Sequence, residues 1–176
     1  MVRGFYIGRF QPFHDGHRQV VVAQICEEVD ELVLGIGSAD QSHTRRDPFT
    51  AGERIVMISN VLAAMDAPSY VVPIEDLNRN SVWVSHAESM CPPFDVIYSN
   101  NPLVGRLFEE SDYEVRDSEM FDREELRGTD IRQRMIAGET WRESVPGAVV
   151  DAIEEIDGVG RIRTIADSDL ALEDRP

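Results

Sequence analysis

Residues Gly8 to His17 read Gly-Arg-Phe-Gln-Pro-Phe-His-Asp-Gly-His, and this stretch holds the chain's densest chemistry. The apolar run Phe5-Tyr6-Ile7 precedes it and a helical pattern from Arg18 to Glu28 follows, so His14 and His17 fall at a strand-to-helix turn. A helix N-terminus carries unpaired N–H groups and a partial positive charge, and so attracts phosphate. Imidazoles placed there can donate hydrogen bonds to phosphate oxygens, and the turn reads as a nucleotide-phosphate site. Two other readings stand beside it. His14 and His17 could ligate a metal, but such a site needs three or four ligands, and only His43 and His86 remain, without Cys-His spacing. They could also be satisfied structural histidines. Arg9 would add a guanidinium to the phosphate cluster or form a surface salt bridge.

Four further segments carry candidate groups. In Leu126-Arg127-Gly128-Thr129-Asp130-Ile131-Arg132, Gly128 permits close backbone approach, Thr129 offers a hydroxyl at a helix start, and Arg132 lies one turn on. In Ser42 to Arg54, Arg45 and Arg46 are adjacent cations in an acidic chain; Arg46 suits a substrate phosphate, while a solvated loop balancing Asp47 and Glu53 is the alternative. Arg54, one turn into the next helix, is expected to pair with Asp47. In Ile74 to Val84, Trp83 offers a flat face for a cationic aromatic ring, and Asp76 and Asn80 offer hydrogen bonds, although a helical tryptophan usually packs a core. In Asn100-Asn101-Pro102, Asn100 can take the left-handed backbone angles of a turn.

Apolar runs alternating with helical patterns must position these groups. Strands are expected at 2–7, 31–37, 70–74, 95–99 and 113–116. Helices are expected at about 17–28, from Thr50 (a capping box with Glu53, inner face Ile55, Ile58, Leu62 and Met65), at 81–90, from Pro102 with Leu103, Leu107 and Phe108 inward, at 129–137 closed by Gly138, and at 146–156. The strands are continuous apolar runs of the buried parallel kind. The fold class is therefore α/β, a Rossmann-like parallel sheet with helices on both faces, and the ligand crevice lies at the carboxyl ends of the strands. The Gly8–His17 turn, Gly37-Ser38, the loop after Ile74 and Ser99-Asn100-Asn101 converge there. A single domain over 1–166 is expected, with an acidic tail at 167–176 that need not be ordered.

The net charge is −16, and all 17 basic residues are arginine. That field opposes nucleic-acid binding and favours a source adapted to high salt, with a GC-rich mesophile as the alternative. No apolar run reaches membrane-spanning length and no leader pattern opens the chain, so no membrane partner and a cytoplasmic place are expected. Cys26 and Cys91 make no disulfide framework, and Cys26, among apolar neighbours, is expected as a buried thiol.

The ten residues from Gly8 resemble the His-x-Gly-His signature of the nucleotidylyltransferase superfamily, and in their longer form the archaeal nicotinamide-nucleotide adenylyltransferases. Leu126 to Arg132 is similar to the superfamily's second motif, Ile-Ser-Gly-Thr-x-Ile-Arg, with Arg127 where serine is usual, which removes one hydroxyl contact. The resemblance implies adenylyl transfer from ATP to nicotinamide mononucleotide (NMN), giving NAD and pyrophosphate, with magnesium (Mg2+) held mainly through the ATP phosphates and no protein metal site. It implies His14, His17, Arg46 and Arg132 as catalytic residues. Gly8, Arg9, Phe10, Phe13, Asn100, Gly128 and Thr129 would serve the ATP side, and Asp76, Asn80 and Trp83 the nicotinamide side. Nicotinic acid mononucleotide is a second candidate substrate, and the archaeal relatives suggest a homo-oligomer, a hexamer. Adenylylation of phosphopantetheine or FMN, and a non-catalytic NAD sensor, are the competing functions.

Overall fold

The computed structural model describes residues 1–65, 68–118 and 127–173. Five parallel strands form one sheet: β1 (Arg3–Gly8), β2 (Glu31–Ile36), β3 (Ser69–Pro73), β4 (Val96–Tyr98) and β5 (Glu114–Arg116), in the order β3-β2-β1-β4-β5. The order reverses at β1, flanked by β2 and β4, and a ligand crevice opens at such a switch point. Side chains alternate across the sheet. Tyr6, Leu32, Leu34, Ile36, Val96 and Tyr98 enter the larger core, while Phe5, Val33 and Ile97 enter a smaller one with Phe94 and Phe108. The helices are α1 (Asp15–Val20), α2 (Cys26–Glu28), α3 (Ala51–Ala64), α4 (Trp83–Met90), α5 (Pro102–Glu109), α6 (Gly128–Ala137), α7 (Gly147–Glu155) and α8 (Gly158–Glu173). Both cores are closed by helices, as expected for an all-parallel sheet.

Several elements depart from the sequence reading. The helix expected from His17 begins at Asp15, with His14 as its N-cap, and passes through a π turn at Val21–Ile25 before α2. The wider turn shifts the helical phase, so Ile25 is buried and Cys26 is exposed, against the expectation of a buried thiol. Helix α8 occupies most of what was expected to be a tail, with Ile162 and Ala166 buried on one face; residues 174–176 lie outside the described residues. Leu103, expected inward, is 52% exposed, because Gly105 and Phe108 set the buried face of α5. On α3, Met57 and Val61 join Ile58 and Leu62 in the inner stripe. No described helix is long and apolar enough to cross a membrane.

Candidate active site

The histidine turn leaves β1 at Gly8, where a Cβ would come within 2.8 Å of the Phe10 ring. Phe10 itself takes a positive φ of 50°, and its buried ring folds back under the turn. The His17 ring is enclosed by Phe10 edge-on at 4.9 Å, by Phe13 at 5.4 Å and by a stacked His14 ring at 3.6 Å. His17 Nδ1 accepts the His14 backbone N–H at 3.2 Å. Since that N–H can only donate, Nδ1 is the acceptor and a neutral His17 carries its proton on Nε2. Burial pushes the His14 pKa down to about 4, and burial together with His14 holds His17 well below the ordinary imidazole value. The free protein therefore presents two neutral imidazoles. His14 Nδ1 is buried and has no hydrogen-bond partner among the described residues.

Polar cross-links fasten this turn to the loop after β2. The Gln11 side chain pairs with the backbone of Phe49, its Nε2 donating to the carbonyl at 2.9 Å and its Oε1 accepting the N–H at 3.0 Å. Arg9 Nη1 meets Asp47 Oδ1 at 3.3 Å. Buried Arg132 donates from Nη1 to the Gln11 carbonyl at 2.7 Å, from Nε to the Arg45 carbonyl at 3.0 Å and from Nη2 to Thr129 Oγ1 at 3.3 Å. Burial first, then Arg9 among its neighbours, presses the Arg132 pKa down to about 10, so it stays cationic at neutral pH. Gly128 lies so close to the turn that a Cβ would be 3.2 Å from the Gln11 carbonyl oxygen. The expected pairing of Arg54 with Asp47 is absent among the described residues; Arg54 bonds four backbone carbonyls instead, and Arg9 takes the carboxylate. Four carbonyls lay within reach of the buried fork, and the Asp47 side chain, itself buried, is taken by Arg9.

A cavity of about 390 Å³ opens at the carboxyl ends of the strands. Gly8, Arg9 and Arg46 line one part of it, and Asp76, Asn80 and Trp83 another. Arg46 is exposed and has no ion-pair partner among the described residues. Asp76 accepts a hydrogen bond from Ser38 Oγ at 2.7 Å, and Trp83 packs its ring edge-to-face on Phe108 at 5.7 Å, so its indole serves the smaller core and the cavity together. Asn101, not Asn100, lines the cavity; its Oδ1 caps α5 through the N–H groups of Leu103 at 3.0 Å and Val104 at 3.4 Å. Phe10, Phe13, His14, His17, Asn100, Gly128, Thr129 and Arg132 lie outside its lining. Thr129 is exposed and its hydroxyl receives Arg132; Leu126 lies outside the described residues. Sequence reasoning brought Ser38 and Asn101 to the crevice without giving either a role, and it missed the supporting roles of Gln11 and Asp47. The Asn-Pro pair before an apolar face was a readable capping signal for Asn101.

Among the described residues, no group of three or more His, Cys, Asp or Glu is placed to hold a metal ion. Residues 5–134 match the cytidylyltransferase-like family. The chain is 66% identical over 168 residues to the nicotinamide-nucleotide adenylyltransferase of Haloarcula marismortui, covering 96% of this chain and 89% of that protein. It is 55% identical over 169 residues to the enzyme of the same name from Methanoculleus marisnigri, covering 96% of this chain and 100% of that one. The chain belongs to the nicotinamide-nucleotide adenylyltransferase family. Its fold is shared with a bifunctional NMN adenylyltransferase/ADP ribose pyrophosphatase from Francisella tularensis, crystallised with AMP and a manganese ion. That likeness has a TM-score of 0.74 at 19% identity and covers 98% of this chain but only 54% of the Francisella chain. Relatives from Haloarcula and Halobacterium salinarum agree with the high-salt origin read from the composition.

Proposed function

We propose that the protein transfers the adenylyl group of ATP to NMN, giving NAD and pyrophosphate. The observation that carries the reading is one crevice with two differently equipped ends: Gly8, Arg9 and Arg46 on one side, where the turn that also bears the paired histidines leaves β1, and Trp83 with Asp76 and Asn80 across the cavity. The names of the relatives support it.

The NMN phosphate is already an anionic nucleophile, so no base has to be activated. Its oxygen attacks the α-phosphorus of ATP; the new P–O bond forms as the bond to the bridging oxygen breaks, and that electron pair leaves with pyrophosphate. What the chain supplies is alignment and charge neutralisation. His14 and His17 would donate to the phosphate oxygens through their imidazole N–H groups, and Arg46 would take a substrate phosphate. Arg132 has three of its nitrogens committed to the turn and to Thr129, leaving two N–H groups for the leaving pyrophosphate. Gly8, Arg9, Phe10, Phe13, Asn100, Gly128 and Thr129 would shape the ATP side. Trp83 would stack on the cationic pyridine, with Asp76 and Asn80 on its carboxamide.

The donor set around the turn suits anions rather than cations: Asp47 is taken by Arg9 and Asp76 by Ser38. A divalent cation, Mg2+ in this reading, would therefore come with the triphosphate and neutralise charge there, while the protein holds the phosphate oxygens. The same reading carries a cytoplasmic homo-oligomer, a hexamer by resemblance to the archaeal enzymes. The decisive assay is pyrophosphate release from ATP and magnesium at molar salt, with NMN, nicotinic acid mononucleotide, FMN and phosphopantetheine as acceptors. Release with a pyridine nucleotide alone is expected. Release with another acceptor would overturn the role of Trp83, and dinucleotide binding without turnover would favour a sensor.

A further inference from the structure

Arg54 is a cation with neither solvent nor a carboxylate in contact. It lies on the inner face of α3 at 0% exposure. Its guanidinium makes four hydrogen bonds, all to backbone carbonyls: Nη1 to Arg9 at 2.8 Å and Gly37 at 2.9 Å, Nη2 to Ser38 at 3.0 Å, and Nε to Thr50 at 3.2 Å. Four of the five N–H donors of one rigid fork are thereby used, which leaves little capacity for a substrate. The four carbonyls belong to three segments: the histidine turn, the loop after β2 and the N-cap of α3. Burying a guanidinium is costly, and burial holds its pKa below the ordinary value. An apolar side chain beside Met57 and Ile58 would avoid that cost. What it could not do is fix the distance between three backbone segments.

Two of those segments lead directly to the two ends of the crevice. Arg9 lines the cavity and pairs with Asp47. Ser38 lines it as well, in a strained backbone conformation with φ of 48°, and its hydroxyl holds Asp76. The guanidinium thus sits behind the floor of the site, between the phosphate turn and the loop that orients Asp76. In-line transfer between two separately bound phosphates depends on their relative placement, and small displacements there cost rate steeply.

We propose that Arg54 is a positioning residue for the transfer: by bonding the carbonyls of Arg9, Gly37 and Ser38 it sets the spacing between the two halves of the site without touching either substrate. This inference rests on the adenylyl-transfer reading above. Arg54→Lys tests it, because an ammonium keeps the charge but presents three donors from a single atom and cannot span the fork's reach. In the full chain at high salt, turnover should fall by roughly 10- to 100-fold, while KM for ATP and NMN moves by less than about threefold. The amides of Gly37 (bonded to the Gly8 carbonyl at 2.9 Å) and Phe49 (bonded to Gln11 at 3.0 Å) should exchange faster, with α7 and α8 unchanged. Arg161→Met is the control. It removes a two-pronged ion pair with Glu53, 2.7 Å on each arm, at the outer side of the same α3 terminus, and should leave turnover of the folded protein unchanged.

Unchanged exchange at Gly37 and Phe49 in the lysine variant would overturn the proposal. So would faster exchange there with full turnover, and so would protection lost equally across α7 and α8. Failure of the underlying reading shows elsewhere, as absence of pyrophosphate release from the unaltered protein.

Discussion

His17 has two jobs on its two ring nitrogens, and they can be separated. Nδ1 accepts the His14 backbone N–H at 3.2 Å, which ties the ring to the start of α1, while Nε2 carries the proton that would reach a phosphate oxygen. An asparagine at this position places its oxygen near Nδ1 and has nothing near Nε2; a glutamine does the reverse. His17→Asn should therefore keep the tie and lose the donor. A hydrogen bond to a charged group is worth about 1.5–3 kcal/mol, which corresponds to a roughly 10- to 150-fold drop in turnover if the contact strengthens in the transition state. Its thermal stability should fall only by the lost ring packing against Phe10 and Phe13. His17→Gln should retain more turnover, yet leave the His14 N–H without its acceptor, at a further cost of about 1–3 kcal/mol. Steady-state pyrophosphate release gives kcat and KM for both variants, and chemical denaturation gives their stabilities. Full turnover in His17→Asn, or the same loss of rate and stability in both, would refute the assignment of Nε2 as the working donor.

Stability should fall with acid before the carboxylates titrate. The His14 pKa is about 4 in the folded chain because of burial, against about 6.5 when unfolded, so the unfolded state binds more protons in between. That contribution is complete above pH ~6.5 and declines as pH drops toward 4, about 3 kcal/mol in all. A denaturation midpoint that stays level from pH 7 to 5 in the unaltered protein would contradict it. Trp83→Ala should weaken NMN binding in calorimetry and leave ATP binding nearly intact. Because the indole also packs on Phe108, the variant should lose about 2 kcal/mol of stability. Equal loss of both ligands in the folded variant would remove Trp83 from the pyridine side.

The parts legible in the sequence were those encoded locally. Continuous apolar runs marked the five strands, and Gly8, Pro12 and Gly16 marked the turn that ends the first. The Thr50–Glu53 capping box was readable because both partners lie within four residues, and it is present with Glu53 N donating to Thr50 Oγ1 at 3.2 Å. What stayed hidden depends on tertiary placement. Arg54 reads as a partner for Asp47 from its position near it, whereas its carbonyl acceptors come from segments up to 45 residues away. Arg132 reads as a phosphate ligand and turns out also to be a strut, reaching Gln11 across 121 residues. Helix α8 was missed because its buried stripe, Ile162 and Ala166, is short and the segment reads as an acidic tail. Cys26 was misplaced by a π turn, which no periodicity in so short a helix reveals.

These struts also resolve an apparent conflict between a charge of −16 and a polyanionic substrate. At molar salt the screening length is about 3 Å, so the acidic surface neither repels a nucleotide at a distance nor does a positive surface need to attract it. Recognition must come from donors in direct contact, held before the ligand arrives. Arginine suits that requirement where lysine would not. Arg54 and Arg132 bury their guanidiniums against backbone carbonyls, and the fork keeps its proton where an ammonium would discharge readily. Arg9 raises the cost of charging both and Arg46 adds to it at Arg132, while Asp47 offsets it at each, with Asp40 and Asp76 helping at Arg54 and Asp130 at Arg132. Of Arg9, Arg46, Arg54 and Arg132, only Arg9 is paired with a carboxylate among the described residues, which leaves the turn short of negative charge, and phosphate oxygens are what it lacks.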